Sequence, residues 1–205
     1  MSIVFLIAAL TSIFSVALIC LFLIVNGIPA MAKIGLFDFL LGKEWAPSDV
    51  PAEYGILPMI LGSLYVTAGA VLIGVPIGIL SAVFLAFVCP KKLYKKVKPA
   101  VDLLAGVPSV VYGFFGMAVL VPITGYSMLT ASLLLGIMIL PTVIGLAESA
   151  LRAVPTQYYE GSLALGAGHY KSVFSVVLPA AKSGLLAAVV LGIGRAIGET
   201  MAVIM

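Results

Sequence analysis

Tyr158-Tyr159-Glu160-Gly161-Ser162-Leu163-Ala164-Leu165-Gly166, followed after nine residues by Val176-Val177-Leu178-Pro179, interrupts a chain that is otherwise almost uniformly apolar. A polar island between lipid-compatible runs must meet something outside the lipid, because its polar groups find no partners within it. Physically, the island reads as two short helices. Pro155 suits the first helical position, where its missing N–H is not needed. Gly166 or Gly168 suits the left-handed turn that closes the first helix, and Pro179 ends the second. An ordinary interhelical loop is the competing reading, but it has no reason to keep Glu, Gly and Leu-Pro at these intervals. His169 and Lys171 read as solvated surface.

Composition identifies the solvent. Of 205 residues, 63% are hydrophobic and 9% charged, more apolar surface than a soluble domain of this length could cover. The chain is expected to be all-α, a polytopic membrane helix bundle. The net charge of +3 says little in itself, because Lys91, Lys92, Lys95, Lys96 and Lys98 place five of the eleven basic residues in one short stretch. Set between two apolar runs, these lysines suit anionic lipid headgroups, at about 1 kcal/mol each, and not a nucleic acid. Cys20 and Cys89 lie in separate apolar runs with no Cys-x-x-Cys or Cys/His grouping, so neither a disulfide framework nor a metal site is expected. No motif implies a cofactor.

Ile3 to Val25 runs 23 residues without a charge, enough to span a hydrocarbon core of about 30 Å. A cleaved signal peptide competes, on the triplet Ala30-Met31-Ala32, but there is no basic n-region and the run is too long for an h-region. Residues 26–55 carry Lys33, Asp38, Lys43, Glu44, Trp45, Asp49 and Glu53 and read as extramembrane. Their stretch Ile34 to Leu41 is too short to span and suits the interface. The chain thus divides into residues 1–55, a transmembrane helix plus an external segment, and residues 56–205, the main membrane domain. Ile56 to Cys89 supplies 34 uncharged residues, one long or bent helix with Pro76 as the expected kink. By the positive-inside rule the lysine loop, residues 90–99, is cytoplasmic, which puts residues 26–55 outside and the amino terminus inside.

Pro99 to Pro122 is the third span, and Pro108 predicts a break within it. Ser109 and Gly113 share a face that lets another backbone approach closely. The arrangement serves packing or lines a translocation path, and the sequence leaves both open. After a turn at Thr124-Gly125-Tyr126, Met128 to Ala147 returns to the cytoplasm, with Ser132 and Gly136 four apart and Pro141 interrupting it. Glu148, Arg152, Gln157 and Glu160 give the next segment its polarity, on the side of the lysines. The last run, after Lys182, carries the small-residue ridge Gly184, Ala188, Gly192, Ala196. Arg195 and Glu199 lie beside it, with Arg195 about 20 Å beyond Lys182 and past the membrane midplane. A charge there costs roughly 2.5 to 3.5 kcal/mol, so each must face protein or water and pair with the other or with a neighbouring helix. Either they lock helices together as an ion pair, or Arg195 offers planar donors to a passing oxyanion while Glu199 tempers its hold.

With Gly161 and Ser162 in place of two alanines and Val176 in place of isoleucine, the interval from Glu160 through Gly166 to Leu178-Pro179 resembles the coupling loop of ABC-importer permeases. Their pattern is Glu-Ala-Ala, three residues, Gly, nine residues, Ile-x-Leu-Pro. Gly106-Val107-Pro108-Ser109-Val110-Val111-Tyr112-Gly113 is similar to the matching segment of phosphate-importer permeases. Tyr54-Gly55-Ile56-Leu57-Pro58, Gly62-Ser63-Leu64-Tyr65 and the stretch 194–203 resemble the PstC-type subunit more than its PstA-type partner. The likeness covers the chain from about Tyr54 onward. It implies a type I (MetI-like) permease fold in the cell inner membrane, with Glu160, Gly161, Ser162, Gly166, Leu178 and Pro179 docking on an ATP-hydrolysing subunit. It also implies a second permease subunit, a cytoplasmic ATPase dimer and an external phosphate-binding protein as partners. No Gly-x-x-x-x-Gly-Lys-Ser/Thr run occurs, so the chain is not expected to be an enzyme and ATP hydrolysis belongs to a partner. Sulfate and molybdate permeases share the coupling loop, and a self-sufficient secondary transporter is the reading from another class. Because the resembled permeases have six spans and five are read here, the resemblance implies truncation before a last helix.

Overall fold

A computed structural model describes residues 2–199 and 201–204, so Thr200 of the stretch 194–203 lies outside the described residues. The chain forms two structural units, Met1–Leu61 and Gly62–Met205.

In the first unit, α1 (Ser2–Ile34) is a single helix of 33 residues. It runs past Val25, where the sequence predicted its end, because Asn26 folds its amide back onto the Phe22 carbonyl at 2.7 Å and the helix accommodates Pro29. Residues 26–34 are therefore helical, continuous with the apolar run before them. Gly35, at φ +96, breaks it, and the short α2 (Leu36–Leu41) follows. Gly42 and Gly55 pass so closely that neither has room for a Cβ. Their approach leads into a small antiparallel pair, β1 (Trp45–Ala46) with β2 (Glu53–Tyr54), in which Trp45 and Tyr54 meet edge to face at 6.0 Å. This pair is the one departure from an all-α fold among the described residues.

α3 (Leu57–Val83) crosses the division between the units and continues as a π turn, Phe84–Val88. The helix passes Pro76 without a break. α4 (Lys91–Ala105) is a helix where the sequence suggested a loop, since lysine is a good helix former and Pro90 is well placed to start one. The rod formed by α5 (Ser109–Phe115), a π turn (Gly116–Leu120) and α6 (Val121–Thr124) is bent 99° from α4 at Pro108, where the break was expected. The Tyr112 hydroxyl donates to the Leu104 carbonyl across that bend at 2.8 Å, satisfying an acceptor that a helix end leaves open. Ser127 caps α7 (Met128–Arg152), its Oγ accepting the Thr130 N–H at 3.3 Å. α7 remains helical through Pro141, which does not interrupt it. Next come α8 (Thr156–Ala164) and α9 (His169–Ser172), then a π turn (Val173–Val177) leading into α10 (Leu178–Ala180). α11 (Lys182–Gly198), set 71° from the α9–α10 rod, and α12 (Met201–Ile204) complete the unit.

The three π turns have one cause. Cys89, Val121 and Leu178 each donate their N–H to the carbonyl five residues back, and each precedes a proline. Proline has no N–H for the carbonyl four residues back and its ring crowds that oxygen, so the ladder widens just ahead of Pro90, Pro122 and Pro179.

α7 is the hub of the second unit. A Cβ on Gly74 of α3 would stand 2.8 Å from the Gly136 carbonyl oxygen, and one on Gly78 would stand 2.7 Å from Val143. On α11, a Cβ on Gly184 would stand 2.5 Å from the Ala150 methyl and one on Gly192 would stand 2.9 Å from Val143, while Ala188 and Ala196 are buried in the same seam. The small-residue ridge therefore does what its spacing predicted, bringing backbones close where lipid offers no hydrophobic drive. Among the described residues three helices are long and apolar enough to cross a membrane, or up to five if each bent pair is one span, and the five read from sequence equal that upper count.

Candidate functional site

The polar island folds as the expected helical pair, with two differences in detail. Pro155 precedes α8 as its extended N-cap residue (φ −56, ψ 132) and does not occupy its first turn. Gly166 alone is left-handed (φ +85), while Gly168 (φ −71) starts α9. The Ala167 N–H returns to the Ser162 carbonyl at 3.1 Å, so the chain reverses tightly behind α8. Glu160 and Gly161 are exposed, and the Ser162 hydroxyl folds onto the Tyr159 carbonyl at 2.8 Å. Tyr159 is the internal fastener. Its hydroxyl lies 2.6 Å from His169 Nδ1 and its ring stacks on Phe87 at 6.2 Å. His169 thus joins α8 to α9 and is not a simply solvated residue, whereas Lys171 is exposed as expected. Leu178 packs half-buried against the core around Val83, Ala147, Leu151 and Val177, and Pro179 faces outward.

Immediately above this segment lies a charge cluster that sequence reasoning missed. Glu148, taken from the sequence as part of the polar segment, is 3% exposed. Its Oε1 accepts from the Tyr94 hydroxyl at 2.8 Å and from Arg152 Nε at 2.8 Å, and Lys98 Nζ stands 3.3 Å from Oε2. Lys98 also pairs with Asp102 at 3.0 Å, and Arg152 donates through Nη2 to the Leu85 carbonyl at 3.0 Å. α3, α4 and α7 meet here. The available signal was Glu148 and Arg152 one helical turn apart, and Lys98 and Asp102 likewise. The lysine-bearing turns of α4 precede the third span read from the sequence, and charge of this density suits a position outside the hydrocarbon. There the hydrogen bond to Glu148, with burial adding to it, pushes the Tyr94 hydroxyl above its ordinary range. Burial opposes the charge on Lys98, but Asp102 and Glu148 outweigh it and hold the ammonium above the usual lysine range.

The residues read as a pathway are not gathered at one point. Arg195, half-buried on α11, donates through Nη1 to Thr142 Oγ1 of α7 at 2.8 Å. Glu199 ends the helix (φ −89, ψ 106), which takes it out of the geometry that would pair residues four apart. The ion pairs among the described residues all involve Glu148, Lys98, Asp102 or Arg152, so Arg195 finds its partner on a neighbouring helix and not in Glu199. Gly113 lines an apolar cavity of about 280 Å³ with Gly116, Thr130, Leu134 and Ala202, a space that Arg195 does not line. Pro108 and Ser109 stand at the 99° bend, and Pro76 faces outward.

Apolar helices clasped through small-residue seams, with a fastened polar helical pair set between them, define a polytopic membrane helix bundle. The pattern described as "Binding-protein-dependent transport system inner membrane component" matches residues 74–205, and the chain belongs to that family. It is 40% identical over 205 residues to the probable ABC transporter permease protein YqgH of Bacillus subtilis, covering 95% of this chain and 66% of that protein. It is 34% identical over 201 residues to the phosphate transport system permease protein PstC of Mesorhizobium japonicum, covering 85% of this chain and 61% of that one. The chain spans just under two thirds of the length of these curated relatives. Among solved structures, an inward-facing conformation of the MetNI methionine ABC transporter superposes with a TM-score of 0.62 at 26% identity, over 69% of this chain and 73% of that one. The fold is that of a type I ABC-importer permease.

Proposed function

We propose that this chain is a permease subunit of an ATP-driven importer of inorganic phosphate, in which residues 56–205 form part of the translocation path and the α8–α10 segment engages a separate ATPase. The observation that carries this reading is the build of that segment. Glu160 and Gly161 are presented outward, Gly166 turns the chain behind them, and Tyr159–His169 fastens the two helices, while Leu178 seats the rear against the core. A polar protrusion braced this way can receive a push without dissipating it in loop motion. In this reading the segment and the lysines of α4 are cytoplasmic, the amino terminus is inside, and residues 1–55 carry a first span and an external segment. The partners are a second permease subunit of the PstA type, an ATPase dimer and an external phosphate-binding protein. The PstC-named relatives favour phosphate as cargo. Arg195 supports an anion path because its guanidinium has five N–H donors and Thr142 occupies one.

The test is ATP-dependent uptake in membrane vesicles of the full-length chain with its partners, comparing labelled phosphate with sulfate and molybdate. Arg195→Ala should abolish uptake while the complex still assembles, and unchanged uptake removes Arg195 from the path. Glu160→Lys with Gly166→Pro should abolish both ATPase co-purification and uptake. Persistent ATP-independent transport by that variant would establish a secondary transporter instead. Preference for sulfate or molybdate would reassign the cargo and leave the coupling scheme standing.

A further inference from the structure

We infer that Glu148 is a positioning residue for coupling: with Arg152 and Lys98 it ties the base of α7 to α4 and to the end of α3, so that a displacement received by α8 reaches these helices together. This rests on the coupling role of α8 proposed above.

Three observations lead to it. The first is the manner of attachment. α3 and α11 lie on α7 through small-residue seams, but α4 has no buried residue among its fifteen. Among the described side chains, Tyr94 and Lys98 converge on the Glu148 carboxylate of α7, and the Tyr94 ring also lies 5.1 Å under the Arg152 guanidinium. The second is position. Glu148 sits one helical turn before the end of α7, and the chain leaves Arg152 through Pro155 directly into α8. The third is a second route between the same parts. Tyr159 of α8 stacks on Phe87, in the π turn whose Leu85 carbonyl holds Arg152 Nη2. From α8 the contacts thus pass through the π turn to Arg152, then to Glu148, and then to α4. Stability is a weak explanation for this cluster, because a buried ion pair replaced by well-packed apolar residues often leaves a protein equally stable. A carboxylate does supply a directional tie among three elements. π turns recur at functional sites, and this one stands where two of the contacts meet.

The experiment uses the complete transporter reconstituted in proteoliposomes, reading complex yield, ATP hydrolysis and cargo moved per ATP. Glu148→Gln keeps the shape and an acceptor for Tyr94 but removes the charge that Lys98 and Arg152 bind. We expect yield and hydrolysis within about twofold of wild type and cargo per ATP reduced about tenfold or more, within the range of measured coupling factors. Lys98→Met should lower cargo per ATP in the same direction but less, and Lys98→Arg should restore it. Glu148→Gln with cargo per ATP within twofold of wild type, whatever its yield, makes the cluster merely structural and overturns the inference. If Glu148→Gln does not accumulate, the Lys98 pair decides: equal cargo per ATP in Lys98→Met and Lys98→Arg overturns it. Absence of ATP-dependent uptake in the wild-type complex instead overturns the coupling reading of α8, and this inference with it.

Discussion

The α7–α11 seam is tight enough that one methyl group should be felt. In Gly184→Ala the new Cβ would lie 2.5 Å from the Ala150 methyl carbon. Two such carbons rest comfortably at about 3.5 to 4.0 Å, so the helices must part by about 1 Å or more at that point. Neither partner can rotate away, because both are single methyl groups fixed to helical backbone. Overpacking of this kind costs about 1 to 3 kcal/mol. At roughly 2 to 4 °C per kcal/mol for a chain of this size, the melting temperature should fall by about 2 to 12 °C. Two companions separate the clash from other effects of adding a methyl. Gly194→Ala lies on the same helix with nothing within 4 Å, and should melt at or slightly above wild type because alanine is the better helix former. Adding Ala150→Gly to Gly184→Ala removes the opposing methyl and leaves the Ala150 Cα at 3.5 Å, an ordinary contact. The double variant should therefore recover most of the loss, less about 0.5 to 1 kcal/mol for the new helical glycine. The measurement is thermal unfolding of the detergent-purified protein followed by fluorescence. Equal melting of Gly184→Ala and wild type, or no recovery in the double variant, refutes the argument.

Gly166→Ala meets no steric neighbour, so its cost is conformational, about 1 to 2 kcal/mol for forcing alanine left-handed at φ +85. Hydrogen exchange should accelerate across residues 162–169 while the global melting temperature holds. Tyr159→Phe keeps the stack on Phe87 but loses the His169 bond, a loss of about 0.5 to 1.5 kcal/mol, and combining it with His169→Ala should add less than the sum of the two. Thr142→Val preserves shape and removes the acceptor of Arg195, leaving a half-buried donor unmet at about 1 to 3 kcal/mol. If Arg195 lines the anion path, the same variant should alter the KM for phosphate uptake, and an unchanged KM would separate that hydrogen bond from transport.

Much of this protein is written in one dimension. Charge-free runs long enough to span lipid, small residues four apart, and a polar island with Glu, Gly and Leu-Pro at set intervals are local features. They act through chain length, helical period and backbone freedom, none of which needs a distant partner. They were sufficient for the membrane setting, the α11 seam, the bend at Pro108 and a left-handed turn at one of two glycines, of which the structure selects Gly166 over Gly168. What tertiary structure decided is the fate of the charges. Glu148 and Arg152 look alike as polar residues one turn apart, yet Glu148 is buried and Arg152 is half-exposed, because α4 brings the Tyr94 hydroxyl and the Lys98 ammonium onto the Glu148 carboxylate, whereas the Arg152 guanidinium lies over the Tyr94 ring. Arg195 was expected to pair with Glu199 or with a neighbouring helix, and it bonds Thr142, 53 residues away in sequence. The cost of a charge in a membrane depends on which oxygen or nitrogen reaches it, and that is set only when separate helices come together.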